Sequence, residues 1–402
     1  MKQIITKLTA IILSISLICT GCTQKSGNHN APEQTTAPTS EDSAPADKAD
    51  HARSGEMRDI TSQQLLDDMT LGWNLGNSLD VCIADTDDDG EVNETPENGT
   101  VDETLWGNVR TTDEIFKTLY SQGINAVRIP VTWRDHTGEA PDYLIDEEWM
   151  NRVQEVVNYA YDLGMYVIIN LHHDGGGDPD FGAWIRNAST DKETVFTRYR
   201  AVWNQIAQRF QNYSDHLIFE SMNEVGFDDM KEAKAFSLLN EMNQTFVDEI
   251  RASGGNNQKR HLLIAGYWTD IEACTDKTFQ MPEDSQNRCI LSVHYYTPWQ
   301  FCTTNQQNTW GTKEDLNVMK EKVALLKKHF TDKKIPVLIG EFGTGLDNDT
   351  DSRIKFCREF TSRCKKIGIP AFFWDNGGEF DRERLTWRTE GLLEAMQEGS
   401  GI

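Results

Sequence analysis

Positive charge is scarce in this chain: 39 Lys and Arg face 64 Asp and Glu, for a formal net charge of −25. That balance disfavours an electrostatic grip on nucleic acid or on anionic lipid headgroups. Cysteine is present without a pattern. The eight residues, at positions 19, 22, 82, 274, 289, 302, 357 and 364, form no CxxC…CxxC zinc motif and no framework for a disulfide-stapled mini-domain, and their spacing dictates no pairing. The apolar run from Leu8 to Ile18 is too short to span a bilayer as a permanent helix. What remains is an ordinary globular composition, 38% hydrophobic and 26% charged, in a chain long enough for a large single core.

Lys2 and Lys7 ahead of that run give residues 1–21 the make-up of an export signal. The run ends in Ile18-Cys19-Thr20-Gly21-Cys22, which resembles a bacterial lipoprotein signal, with Cys19 standing where that pattern usually has Leu. The resemblance implies that Cys22 carries the lipid. Residues 22–55 are mostly Ser, Thr, Pro, Ala, Asp and Glu with almost no large apolar side chain, the composition of a flexible tether. The expectation is a monomeric unit outside the cell or on its surface, held to the membrane through a lipid anchor and folded as one domain over residues 56–402.

From Leu71 onward, eight apolar runs alternate with segments of helical period. The runs are Leu71–Leu79, Ala126–Val131, Tyr166–His172, Leu217–Met222, Leu262–Trp268, Ile290–Tyr295, Pro336–Gly340 and Ala371–Trp374. Each is nearly continuous, as strands covered on both faces require. Between them, Met150, Val153, Val156, Val157 and Ala160 recur at helical spacing before Gly164, and Ile354, Cys357, Phe360, Cys364 and Ile367 repeat the scheme before Gly368. The rhythm predicts an α/β fold, a (β/α)8 TIM barrel, with a doubly wound open sheet as the alternative that shares most of the signal.

In such a barrel the active face lies where the strands end. Arg128 interrupts the second run, and the third ends Asn170-Leu171-His172-His173-Asp174. Met222-Asn223-Glu224 closes the fourth, His294-Tyr295-Tyr296 the sixth, Glu341-Phe342-Gly343 follows the seventh and Trp374-Asp375-Asn376 ends the eighth. Glu224 and Glu341 thus stand across one ring. Two carboxylates on one cavity suit cleavage of a glycosidic bond, because one can protonate the departing oxygen while the other attacks or activates water. His294 and Tyr296, two apart on an extended backbone, point into the mouth while Tyr295 points to the helices.

Seven segments in order carry a resemblance: Leu-Gly-Trp-Asn-Leu-Gly-Asn (71–77), Val-Arg-Ile-Pro-Val-Thr-Trp (127–133), Ile-Asn-Leu-His-His-Asp (169–174), Phe-Glu-Ser-Met-Asn-Glu (219–224), His-Tyr-Tyr-Thr-Pro (294–298), Ile-Gly-Glu-Phe-Gly (339–343) and Trp-Asp-Asn-Gly (374–377). Together the chain resembles glycoside hydrolase family 5, the cellulase family, and its subfamily 4 of bacterial endoglucanases and xyloglucanases. The resemblance implies a retaining endo-β-1,4-glucanase that needs no cofactor and takes a β-glucan polysaccharide. Xyloglucan, mixed-linkage glucan, xylan and mannan are the sister specificities, and a non-catalytic surface glycan-binding lipoprotein is the competing class. It further implies Glu224 as acid/base, held protonated, and Glu341 as nucleophile, kept ionised by Arg128 and Tyr296. His294 is placed near the acid/base, Asn223 on the sugar 2-hydroxyl, His172 towards the sugar, and Trp374 under its ring at the cleavage subsite.

Other features carry further expectations. Adjacent strand residues face opposite ways, so His172, His173 and Asp174 are not expected to share a metal ion, and no metal is expected elsewhere. Among the tryptophans outside strand cores, at 106, 133, 184, 299 and 310, Trp184 is the expected accessory sugar contact. Asp85 to Glu91 copies the first half of an EF-hand calcium loop, but position twelve is Pro96 and not Glu, which favours a solvated acidic insertion.

Overall fold

A computed structural model describes residues 46–84, 100–176 and 182–402. The leader, Cys22, the Asp85–Glu91 loop and Gly177 lie outside the described residues. Eight parallel strands, β1 (Gly72–Leu75), β2 (Ala126–Ile129), β3 (Tyr166–Asn170), β4 (Leu217–Glu220), β5 (Leu262–Ala265), β6 (Cys289–Tyr295), β7 (Val337–Phe342) and β8 (Ala371–Asp375), close into a barrel in chain order, with β8 paired back onto β1. The predicted barrel is therefore the observed one, and the open sheet is not. Helices cover the outside, among them Glu147–Tyr161, Lys192–Arg209, Glu232–Ala252, Lys313–His329 and Thr350–Lys365. The first of these starts on Asp146, whose carboxylate accepts the Glu148 and Trp149 amides, and Val153, Val156, Val157 and Ala160 form its buried stripe. The alternation fails once: among the described residues only short 3₁₀ turns, no α-helix, join β5 to β6.

The inward-facing residues change character along the barrel axis. At the strand starts Ala126, Tyr166, Ile168, Ile218, Leu263, Ile290, Leu338 and Phe372 fill the interior, and Leu65, Leu66 and Met69 plug its lower end from the short helix Ser62–Asp67 and the turn after it. Two positions further along their strands the same faces carry Asn74, Arg128, Asn170, Glu220 and Ser292, with His294 two beyond Ser292, all buried. An apolar floor thus supports a polar upper layer, and because side chains alternate along a strand, both come from one parity.

β7 breaks that parity. Leu338 faces the interior, so Gly340 should follow it inward and Glu341 should face the helices. The β6–β7 register shifts between Val293 and His294, pairing His294 with Glu341, and the β7–β8 register shifts between Ile339 and Phe342. A bulge of this kind re-aims a side chain, and here it turns Glu341 into the mouth. The strand also runs on to Phe342, past the Gly340 end that apolarity suggested.

The composition-based tether of residues 22–55 overlaps a folded element. Ala46–Ser54 is a helix lying against the strand-start side of the barrel, where His51 Nε2 is 2.9 Å from Asp215 Oδ1, Tyr161 donates to the Ala52 carbonyl and Ala52 is fully buried. Polar composition hid it, because its attachment rests on a few hydrogen bonds and one small buried residue. No helix among the described residues is long and apolar enough to cross a membrane.

Candidate active site

Arg128 sits at the centre of the polar layer and is fully buried. Its Nε donates to Glu220 at 2.6 Å, Nη1 to Glu341 at 2.6 Å and to Asn74 at 3.1 Å, and Nη2 to Asn223 at 2.7 Å. Burial works against its charge, but Glu220 and Glu341 more than offset that and hold its pKa above the ordinary value. Glu220 in turn accepts from Ser292 Oγ at 2.6 Å and Asn170 Nδ2 at 3.0 Å. Glu220 and Asn74 carry no role in the sequence reading. A charged residue closing an otherwise apolar strand was the available signal for Glu220.

Glu341 is 6% exposed and accepts from Arg128 and, at 2.9 Å, from the Tyr296 hydroxyl. Burial and the Glu341 charge push the Tyr296 hydroxyl well above its usual range, so it stays a donor. Across the mouth, Glu224 Oε1 lies 2.7 Å from His294 Nδ1, which is also 3.6 Å from Glu341 Oε2. One oxygen of each carboxylate and the His294 nitrogen all fall within 4.8 Å of one another. Gly340 permits this crowding: a Cβ there would stand 3.0 Å from both His294 Nε2 and Ser292 Oγ.

The protonation balance of the sugar-free site differs from the expected one. Burial raises Glu224, but the His294 hydrogen bond and charge outweigh it and bring its pKa below the ordinary carboxylate value. Glu341 is raised, because burial and the Glu224 charge exceed the opposing pull of His294 and Arg128. His294 bonds Glu224 directly, whereas Glu341 feels the repulsion of the Glu224 charge. The Glu224 side chain is 39% open to solvent and that of Glu341 only 6%. Groups this close titrate as a set, and whatever covers Glu224 shifts the whole set.

On the opposite wall His172 stacks on Trp374, with ring centres 5.8 Å apart and planes 7° from parallel. Gly76 lies under Trp374, where a Cβ would come within 2.7 Å of the ring. Burial and neighbouring positive groups lower His172 well below its usual pKa and His173 to about 4, so both rings are neutral at neutral pH. Strand parity does not keep His172 and His173 apart. The chain leaves the strand after Asn170, the two rings meet edge-on at 4.6 Å, and Asp80 joins them in a cluster of metal-ligand type. Hydrogen bonding nonetheless disfavours metal. Val131 N–H fixes the Asn170 amide, whose Nδ2 donates to Glu220 and faces His172 Nδ1 at 3.2 Å. Nδ1 must then accept, leaving the proton on Nε2, which becomes a donor and not a ligand. Both Asp80 oxygens already accept the Asn77 and Ser78 amides.

The tryptophans need correction. Trp184, the expected accessory contact, is buried, donates to Asp174 at 2.7 Å and lies under the Arg198 guanidinium at 4.5 Å. It pins the loop after β3 and offers no face to a ligand. Trp133 and Trp310 are buried as well. Trp106, half-buried with its ring 5.5 Å from His173, and Trp299, 39% exposed at the start of the short helix Trp299–Cys302 after β6, remain accessible. The spacing of tryptophans in sequence carries no signal that separates these two groups.

The family described as Cellulase (glycosyl hydrolase family 5) matches residues 87–380. Endoglucanase A of Ruminococcus albus is 39% identical over 372 residues, covering 87% of this chain and 96% of that one. The solved structure of a GH5-4 broad specificity endoglucanase from Ruminococcus champanellensis with bound cellotriose is 37% identical, covers 85% of this chain and 99% of its own, and has a TM-score of 0.75. A mutant of the Glycoside Hydrolase 5 lichenase from Caldicellulosiruptor sp. F32, in complex with cellotetraose, is 32% identical with a TM-score of 0.76, covering 86% of this chain and 96% of its own.

Proposed function

The chain belongs to glycosyl hydrolase family 5, and from that premise we propose that it is an endo-β-1,4-glucanase of subfamily 4 type that cuts internal bonds of β-glucans with retention of anomeric configuration. The observation that carries the mechanism is the carboxylate spacing, within 4.8 Å between an oxygen of Glu224 and one of Glu341. Retaining enzymes hold their carboxyls about 5–5.5 Å apart, whereas inverting ones leave about 6.5–9.5 Å for a water. Glu341 attacks the anomeric carbon, and Glu224 protonates the departing oxygen. Glu224 then takes a proton from water, which releases the sugar from Glu341.

Arg128 and Tyr296 hold the attacking carboxylate in place. A sugar over Glu224 removes the solvent that favours its ionised form and raises its pKa, so it takes up the proton that the leaving oxygen then receives. Asn223, oriented by Arg128, is positioned for the sugar 2-hydroxyl. His172 Nε2–H is a hydroxyl donor, and Trp374 supplies an apolar face for the ring. The names of the relatives and the cello-oligosaccharides bound to two of them support a β-1,4-linked glucan as substrate. The same reading includes export by residues 1–21 and lipid anchoring through Cys22, supported by the sequence pattern alone. Reducing-sugar release on carboxymethyl cellulose, barley β-glucan, xyloglucan, xylan and mannan tests it, with Glu341→Gln alongside. Activity lost in the variant supports the reading, and the preferred polymer chooses among sister specificities. Silence of the folded protein on all five polymers refutes it in favour of glycan binding alone.

A further inference from the structure

The loop that carries Glu224 is clamped by groups that the displacement itself does not use. Glu224 has φ of 42°, and on the turn after β5 Trp268 (φ 53°, ψ 17°) and Thr269 (φ 50°) are also left-handed. None is glycine, and a bulky residue in that region is strained unless its surroundings impose it. Here they do. The Trp268 amide donates to the Val225 carbonyl at 2.9 Å, one residue beyond Glu224, and its indole N–H donates to Asp228 Oδ1 at 3.2 Å. The Arg186 guanidinium lies 4.9 Å from the centre of the Trp268 ring, donates to the Gly226 carbonyl at 3.3 Å and stands 3.6 Å from Asp228 Oδ2. Tyr267 accepts the Phe227 amide at 3.0 Å. Gly226 is the only residue type this arrangement admits, because a Cβ there would come 2.0 Å from the indole nitrogen.

We propose that Trp268, with Arg186 and Asp228, is a positioning assembly for the acid/base Glu224, acting through the backbone of residues 225–228. The inference rests on the reading of Glu224 as acid/base. The nucleophile is held independently, by Arg128 from β2 and Tyr296 from the end of β6. Loosening the clamp therefore misplaces the acid and leaves the nucleophile where it is. A displacement of about 1 Å in a catalytic group can cost about 100-fold, and the loss falls on the step that needs the proton.

Leaving-group chemistry isolates that step. A glucan leaves as a basic alkoxide unless Glu224 supplies a proton as the anomeric bond to Glu341 forms. 2,4-Dinitrophenolate departs unprotonated, so formation of the glycosyl-enzyme from 2,4-dinitrophenyl β-cellobioside does not need the acid. The experiment measures kcat/KM on barley β-glucan and on that aryl cellobioside for wild type, Trp268→Ala, Trp268→Phe, Asp228→Asn and Glu224→Gln. Trp268→Ala is expected to lose about 10- to 100-fold on glucan and to stay within about threefold on the aryl substrate, with Trp268→Phe and Asp228→Asn in between. On glucan the basic limb of the Trp268→Ala pH profile, which reports the proton on Glu224, should move, whereas the aryl substrate should show no basic limb of that origin. If Trp268→Ala does not fold, the other two variants carry the same comparison. Equal losses on both substrates, or no loss on either, would overturn the proposal. If Glu224→Gln discriminates between the substrates and the Trp268 variants do not, this inference alone falls. Equal loss on both substrates in Glu224→Gln removes the acid/base assignment, and the inference with it.

Discussion

Arg128 is one buried guanidinium that joins four partners, two of them carboxylates, and so ties the nucleophile to the strand below it. Lysine keeps the charge but not the planar fork. Arg128→Lys should lower kcat on glucan by about 100-fold. Arg128→Ala should also destabilise the fold by roughly 3–5 kcal/mol, because it leaves Glu220 buried without its cation, and denaturant unfolding measures that. Trp184 predicts the opposite split. Trp184→Phe removes the hydrogen bond to buried Asp174, so it should cost about 1–3 kcal/mol in unfolding free energy and leave KM on glucan unchanged. A raised KM at full stability would restore Trp184 as a sugar contact. At this scale the sequence was readable where a polar residue interrupts an apolar run, as with Arg128 and His294. It was not readable for Trp184, since burial of an aromatic on a loop is decided by what the loop folds against.

The nucleophile depends on an irregularity of β7 that no alternation of residue types announces. The period-two pattern places Gly340 inward and Glu341 outward, and only the paired register shifts with β6 and β8 reverse this. Gly340→Ala should therefore displace His294 and the β7 end together and reduce kcat by about 10- to 100-fold, with far-UV circular dichroism unchanged. The barrel itself was legible, because eight buried strands demand nearly continuous apolar runs. The missing helix between β5 and β6 and the helix Ala46–Ser54 were not. The latter depends on Asp215, whose side chain has no exposure. Burial alone would raise Asp215, but hydrogen bonds from Arg58 and His51 prevail and bring it from 3.8 to about 2. A carboxylate so lowered stabilises the fold above its unfolded value near 4, and the contribution, about 2 kcal/mol, is lost as pH falls through about 2. Thermal unfolding between pH 5 and pH 2 should show this acid sensitivity, and Asp215→Asn should flatten it.

At the scale of the whole molecule, the helix Ala46–Ser54 and the plug Leu65, Leu66 and Met69 lie at the strand-start end, opposite the mouth that holds Glu224 and Glu341. A chain anchored through Cys22 would thus join the barrel on its far side and leave the mouth open to polymer. Detergent-phase partitioning of the protein expressed in a bacterial host with lipoprotein processing, lost in Cys22→Ala, is the expected outcome. The net charge of −25 fits a neutral polysaccharide partner and selects no one polymer. If two carboxylates this close enforce double displacement, anomeric proton NMR during the first minutes of cello-oligosaccharide hydrolysis will show retention. The β anomer should appear first, with the α anomer following only by mutarotation. Initial release of the α anomer would show inversion and rule out double displacement.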